Sequence, residues 1–141
     1  MLEMLVVLIV ISLLIAIGIP RMGRIMQHER VNKAAQIVNA DLQNGFAIAG
    51  RQRAPVRLTV DTAAKSYTFS DRLSGVILQT RVMNASSEFA LSSLTADAAN
   101  IDVLPNGIAS TPFTITVAQG NYSRRISAST AGFVRVVPQA R

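Results

Sequence analysis

The chain begins with an unbroken apolar run. Residues 1–20 contain one charged side chain, Glu3, and one hydroxyl group, that of Ser12. A helix that is apolar on every side is typical of a protein core or a membrane span. At 1.5 Å per residue, residues 1–19 would be about 28 Å long, close to the thickness of the hydrocarbon layer of a bilayer. The pattern therefore predicts a transmembrane helix over residues 1–20.

A second helical segment follows this run. Pro20 lacks an N–H and its ring clashes with the preceding turn, and Gly18 weakens the helix further, so we predict a kink at these two residues. Over residues 21–53 apolar side chains recur at three- and four-residue spacing, which predicts an amphipathic continuation that ends before Pro55. The apolar face consists of Val31, Ala35, Val38, Leu42, Phe46 and Ala49.

From residue 54 onward the apolar positions alternate with polar ones, which is the pattern of strands with one buried face. Turn signals recur about every ten residues and predict an antiparallel meander, whereas residues 84–100 are expected to form a loop with room for a short helix. The predicted strands are 56–60, 66–70, 75–82, 101–104, 113–117, 123–127 and 133–137. The fold class is therefore α+β: a long, kinked N-terminal helix packed on a small antiparallel β-sheet head, residues 54–141.

Composition changes this picture little. Hydrophobic residues make up 50% of the 141 residues, a figure that the first twenty positions inflate. The absence of cysteine excludes disulfides and thiolate chemistry. The net charge is +6, but the basic residues are spread along the chain, with no run longer than Arg124-Arg125. This spread favours a scattered, solvated basic surface over a dedicated anion-binding patch.

Glu3 is the strongest candidate for a functional residue. An ionised carboxylate at the edge of an apolar membrane segment is costly unless a positive group neutralises it. The positive end of the helix dipole could do so in part. The N-terminal amine of a neighbouring copy of the helix would do so more completely, and Glu3 would then select the register of assembly.

The remaining polar residues do not form a catalytic or metal-binding pattern. His28 is the sole histidine, so no histidine pair can hold a metal, and we expect it to be solvated. Glu88, Asp97 and Asp102 are too widely spaced for a convincing calcium site. No nucleophile motif or phosphate-binding loop is present. The sequence therefore predicts no enzyme activity, no cofactor and no metal.

The N-terminal run resembles the signature of type IV pilins and type II secretion pseudopilins. In that family a basic leader ending in Gly precedes Phe-Thr-Leu-any residue-Glu, a hydrophobic run and a Pro near its end. Glu3 falls on the family glutamate, and Pro20 on the proline. The resemblance implies that a leader and the first mature residues precede Met1. It also implies cleavage and N-methylation by a prepilin peptidase.

The tail resembles the GspH/FimT branch of this family. Pro105-Asn106-Gly107, the turn Gln119-Gly120 and the segment Thr130 to Val134 carry this likeness, although Phe133 stands where the branch has Arg. The resemblance implies a minor pseudopilin of a type II secretion pseudopilus, or of a type IV pilus-like fibre. Such a subunit is held by lipid in the bacterial inner membrane by a single span. Its head lies in the periplasm, and it assembles with other pseudopilins or pilins through the N-terminal helix.

Three alternatives stay open at this stage. A FimT-like minor pilin of a competence pilus would contact DNA through Arg124, Arg125 and Arg135. An unrelated periplasmic domain could follow a simple membrane anchor. A removed signal peptide is disfavoured, because the run is long and lacks a basic head and a clean cleavage site. The visible basic residues follow the span, which by itself would place the head in the cytoplasm, opposite to what the resemblance implies.

Overall fold

The computed structural model describes residues 2–138, and within this range the side chains of residues 2 and 17–21 lie outside the description. One helix precedes eight strands. The helix α1 is Leu2–Gln52, and the strands are β1 Val56–Asp61, β2 Ser66–Asp71, β3 Ile77–Val82, β4 Ser93–Ala96, β5 Asn100–Val103, β6 Phe113–Gln119, β7 Tyr122–Ala128 and β8 Val134–Pro138. The predicted α+β class and the predicted end of the helix are confirmed.

The C-terminal half of α1 packs on the head along the predicted apolar face. Its buried apolar side chains belong to Val31, Ala34, Ala35, Val38, Leu42 and Ala49, whereas Phe46 is only partly buried. Arg53 has a φ of 51°, a left-handed conformation that commonly ends helices, and Pro55 prevents continuation beyond it. The helix contacts β6, β7 and β8 together with β1 and β5.

The strands form two antiparallel sheets instead of one meander. Sheet I has the order β3-β2-β1-β5 and sheet II the order β4-β6-β7-β8. The two sheets and α1 enclose one hydrophobic core. The segment predicted as a loop over 84–100 contains β4, whose Leu94 is buried, so that prediction was wrong for residues 93–96. A four-residue strand with one buried apolar side chain gives too little alternation to be recognised in the sequence.

The hairpin of β6 and β7 lies at the lower end of the head, toward the N-terminus of α1. Gln119 pairs with Tyr122, which leaves Gly120 and Asn121 as a two-residue turn. Gly120 has a φ of +57°, as tight hairpin turns require. A side chain at this residue would also meet Gln27, because a Cβ would lie 2.6 Å from the Oε1 atom of Gln27. The turn therefore rests directly on the helix.

Candidate assembly interface

The N-terminal half of α1 projects beyond the head with its apolar side chains uncovered. Met4 is 72% exposed, and the other large apolar side chains between residues 5 and 15 are also exposed. The exposed apolar surface resumes at Met22, Ile25 and Met26, and burial against the head begins at Val31. Contiguous exposed apolar surface of this extent marks an interaction site. Across the described residues, no helix is long and apolar enough to cross a membrane.

Glu3 is the acid of the first turn of α1 and is exposed in the single chain. It forms no ion pair with another described residue. Ser12 is satisfied locally, because its hydroxyl donates to the carbonyl oxygen of Ile9 at 2.8 Å. Glu3 is thus an exposed acid of the projecting segment that has no ion-pair partner among the described residues.

The predicted kink at Gly18 and Pro20 stays a prediction. The backbone of α1 is helical through both residues, with no break. Their side-chain surroundings lie outside the described residues.

A buried carboxylate joins the packed half of α1 to sheet I. Asp41 accepts hydrogen bonds from the Tyr67 hydroxyl at 2.6 Å and from Nε and Nη2 of Arg81 at 3.0 and 3.1 Å. Burial would raise the pKa of Asp41, but hydrogen bonds from Arg81, Tyr67 and Gln79 together hold that pKa below its ordinary value. Burial and the Asp41 carboxylate raise the pKa of Tyr67. Sequence patterns did not reveal this cluster, because its members are 26 and 40 residues apart.

His28 lies where the helix leaves the head. Its side chain is 41% exposed, so it is partly solvated as predicted, but it also has contacts that the sequence did not predict. Its Nε2 atom lies 3.2 Å from Nη2 of Arg124, and because a guanidinium only donates, Nε2 must accept. The Tyr122 ring meets the imidazole edge-on, with ring centroids 5.3 Å apart. Asn32 lies 3.3 Å from the Nδ1 atom. His28 is therefore part of the contact between α1 and the β6–β7 hairpin.

The three arginines proposed to contact DNA do not share a surface. Arg124 lies on the face of β7 that meets the helix, whereas the next residue, Arg125, points to the opposite, outer face. Ser127 is two residues beyond Arg125 and pairs with Arg135, so Arg125 and Arg135 face the same way. Arg135 and Phe133 line a shallow outer groove of about 490 Å³, and Arg125 lines an adjoining one of about 310 Å³, with Asp97 between them in the lining of both. Phe133 is 80% exposed.

The three acids considered for calcium each bind a different partner within the chain, so they do not converge on one site. Glu88 pairs with Lys33 at 3.0 Å, and Asp102 pairs with Arg57 at 2.7 Å. Asp97 accepts the Thr114 N–H at 2.9 Å with both carboxylate oxygens. No group of three potential metal ligands occurs among residues 2–138 as described.

Comparison with known proteins identifies the head. A family model for the type II transport protein GspH matches residues 34–132, more than half of the chain. The chain belongs to the GspH family. The match covers the packed half of α1 and most of the head, and it leaves the projecting segment with Glu3 outside. The prediction of the family is confirmed, and an unrelated head domain is excluded.

Solved structures show the same fold. The crystal structure of the type IV minor pilin FimU from Pseudomonas aeruginosa superposes with a TM-score of 0.64 at 20% identity, covering 78% of this chain and 90% of FimU. The minor pseudopilin EpsH from the type 2 secretion system of Vibrio cholerae gives a TM-score of 0.63 at 17% identity, covering 77% of this chain and 97% of EpsH. No curated protein matches the sequence.

The family settles the broad class of the protein. The chain is a type IV pilin-like structural subunit of the pseudopilin kind and not an enzyme. Its partners are other pilin-like subunits. The exposed apolar half of α1 is accordingly the candidate surface for their contact.

Proposed function

We propose that this GspH-family subunit is a minor pseudopilin that is incorporated into a type II secretion pseudopilus, or a related fibre, through the projecting half of α1. The observation that carries the proposal is the exposed apolar helix, headed by the unpaired Glu3, on a GspH-type head. Before assembly, residues 1–20 anchor the subunit in the inner membrane, with residues 21–53 as the amphipathic continuation and the head, residues 54–141, in the periplasm. In the fibre, other helices replace lipid around the same apolar surface.

The pilin-like N-terminus supports processing by a prepilin peptidase, with methylation of the residue after the leader. In the fibre, Glu3 accepts a hydrogen bond from the N-terminal amine of a neighbouring subunit. This contact selects one register, because the apolar side chains around it would pack against a neighbouring helix in many registers. The fibre in turn supports the movement of secreted protein out of the cell.

Replacing Glu3 with Gln tests this role. Glu3→Gln keeps the size and removes the charge, so the partner amine loses a charged hydrogen bond worth about 1.5–3 kcal/mol. We expect the amount of the subunit cross-linked to its fibre partners in its own bacterium to fall by about tenfold or more. The amount recovered with the membrane fraction should not change.

Two further variants serve as controls. Glu3→Asp keeps the charge and should restore part of the cross-linking. Ser12→Ala removes the other polar side chain of the segment, whose hydroxyl is satisfied within the helix, and should behave like the unaltered protein. Cross-linking that is unchanged in Glu3→Gln would contradict an assembly role for Glu3.

A second candidate function, contact with DNA, is supported by the two adjoining outer grooves. Arg125 and Arg135 can approach phosphates there, and Phe133 offers an exposed aromatic ring. If the grooves bind duplex DNA, Arg125→Gln with Arg135→Gln should abolish binding at ~150 mM salt and lower the salt-dependence slope by roughly two. Arg124→Gln is the matched control and should bind normally, because Arg124 faces the helix. Equal losses in both variants, or no binding by the unaltered chain, would exclude the grooves.

A further inference from the structure

Two arginines just beyond the apolar segment lack an acidic partner. Arg24 is exposed and Arg30 is half-buried, and neither forms an ion pair with a described residue. Lys33, one turn further on, is neutralised by Glu88 at 3.0 Å. The two arginines are therefore available to an anion outside this chain.

The position of Arg24 along α1 matches the depth of a lipid headgroup layer. Arg24 follows Glu3 by 21 residues, which corresponds to about 32 Å of helix. With the average tilt of a membrane helix, about 20°, this length spans about 30 Å, the thickness of the hydrocarbon core. When Glu3 lies at one boundary of that core, Arg24 lies at the other.

The position of Arg24 around α1 puts it beneath the head. Arg24 precedes the buried Val31 by seven residues, or almost two full turns, so both lie on the head-facing side of the helix. The β6–β7 turn of the head approaches the helix at Gln27, less than one turn above Arg24. An anion bound to Arg24 would therefore lie between the membrane and this turn.

The helix geometry also tilts the Cα–Cβ bonds of both arginines toward the bilayer. Every Cα–Cβ bond of an α-helix tilts toward the N-terminus, which here is the membrane end. A guanidinium can donate two parallel hydrogen bonds to a phosphate, so it suits the headgroup of a phospholipid. Arg30 is six residues, or about 9 Å, above Arg24, in a shallow cleft that it lines with Lys33 and the acids Glu29 and Glu88. From there an arginine side chain is long enough to extend down toward the headgroups.

We propose that Arg24 and Arg30 bind the phosphate groups of anionic phospholipids in the leaflet next to the head. This inference rests on the proposed membrane anchoring of residues 1–20. The contact draws the β6–β7 turn against the headgroup layer and fixes the height of the head before assembly. Among the side chains that the structure describes here, the other charges do not share this role. Arg124 contacts His28, and Glu29, exposed and 3.8 Å from His28, is an acid that weakens the attraction.

Lipid selectivity in proteoliposomes tests the proposal with the full chain. The chain is reconstituted in phosphatidylcholine vesicles, and the relative association of spin-labelled phosphatidylglycerol over spin-labelled phosphatidylcholine at its surface is measured by electron paramagnetic resonance. A basic residue near an anionic surface contributes roughly a fivefold preference. We expect the unaltered chain to prefer phosphatidylglycerol severalfold, and Arg24→Gln with Arg30→Gln to lower the ratio to near one. Glu29→Gln should raise the ratio.

Arg51→Gln is the matched control, because Arg51 is an exposed arginine at the far end of the same helix, about 40 Å from Arg24, and its loss should leave the ratio unchanged. A chain that floats with the vesicles but shows no preference, or a preference that persists in the double variant, would overturn the headgroup contact and leave the anchoring intact. A chain that does not float would contradict the anchoring itself and the contact with it. In another outcome, labelled copies of the chain associate with each other through the two arginines while the lipid ratio stays near one. The arginines would then bind a second copy of the chain, and the proposal would be overturned.

Discussion

Asp41 is an acid on the packed face of α1, and only 8% of its surface is exposed. A buried charge is tolerated only when it is paired and hydrogen-bonded. Here the hydroxyl of Tyr67 and two nitrogens of Arg81 supply three hydrogen bonds. The cluster links the helix to β2 and to the edge strand β3, so it fixes the position of sheet I on the helix.

Replacing Asp41 with Asn tests this link. Asp41→Asn leaves Arg81 without its carboxylate and changes the acceptor of Tyr67, so we expect the free energy of unfolding to fall by about 1–3 kcal/mol. Urea unfolding of the detergent-solubilised chain measures the change. Glu88→Gln is the control, because the Lys33–Glu88 pair is largely exposed and should cost less than about 1 kcal/mol. Equal effects of the two substitutions would contradict a special role of the buried cluster.

The same carboxylate should make stability depend on acid pH. The pKa of Asp41 is lowered in the folded chain, so its stabilisation is complete above the unfolded pKa of about 3.9 and is lost as the pH falls through the lower folded pKa. The stability difference between the unaltered chain and Asp41→Asn should be constant from pH 7 to about pH 5 and should shrink below about pH 4. Unfolding curves measured across this range test the expectation, and a difference that instead widened in acid would contradict it.

Single residues show where prediction from the sequence stops. The unusual environment of Glu3 could be predicted, because its sequence neighbours are uniformly apolar. The roles of Asp41 and His28 could not be predicted, because their partners are distant in sequence. Arg124 and Arg125 look equivalent in the sequence, and only the strand's orientation on the helix distinguishes the arginine that contacts His28 from the one that faces outward.

At the level of elements, α1 and sheet I meet closely at one glycine. Gly45 lies on the packed face of α1, and a Cβ there would be 2.5 Å from Cε1 of Phe69. Phe69 is buried in the core, so its ring has little room to move aside. The absence of a side chain at residue 45 lets helix and strand approach each other.

Gly45→Ala should therefore destabilise the head although alanine favours helices. Overpacking costs about 1–3 kcal/mol, and the gain in helix propensity offsets at most about 1 kcal/mol of it. Gly50→Ala is a matched control in the same helix, because a Cβ there would lie 3.9 Å from its nearest neighbour. It should raise stability by about 0.5–1 kcal/mol. Chemical denaturation of both variants tests the contrast, and a Gly45→Ala variant that is as stable as Gly50→Ala would contradict the close approach.

The boundaries of helices and strands were predictable wherever apolar residues recurred at regular spacing over a long stretch or a clear turn or proline ended the stretch. The helix ends near Arg53 because Pro55 follows, and the hairpin of β1 and β2 follows from the alternation of Val56, Leu58 and Val60. The division into two sheets was not predictable, because β1 pairs with β5 about forty residues later and local alternation does not specify such a partner.

At the scale of the whole molecule, the chain consists of a head with its own core and a helix that projects from it. The buried core draws on α1 from Val31 onward, and the first contacts between helix and head lie at Gln27 and His28. The projecting part therefore contributes little to the folding of the head, and its apolar surface serves contacts with other molecules.

Deleting residues 1–21 tests this division. The shortened chain should unfold cooperatively with a free energy within about 0.5 kcal/mol of that of the full chain, because no core contact is lost. It should also be monomeric in gel filtration without detergent and absent from the membrane fraction and from fibres. A loss of cooperative unfolding would show that the projecting segment stabilises the head.

The direct packing of the head on the helix has a mechanical consequence. When an α-helix shifts by one residue against its neighbours, it moves 1.5 Å along its axis and rotates by about 100° about that axis. Because Asp41 and Gly45 hold sheet I directly on the helix, a slip of one residue against neighbouring helices would turn the head by a quarter-turn or more about the axis of its own helix. The acidic side chain at residue 3 would then govern, from tens of ångströms away, which flank of the head looks outward.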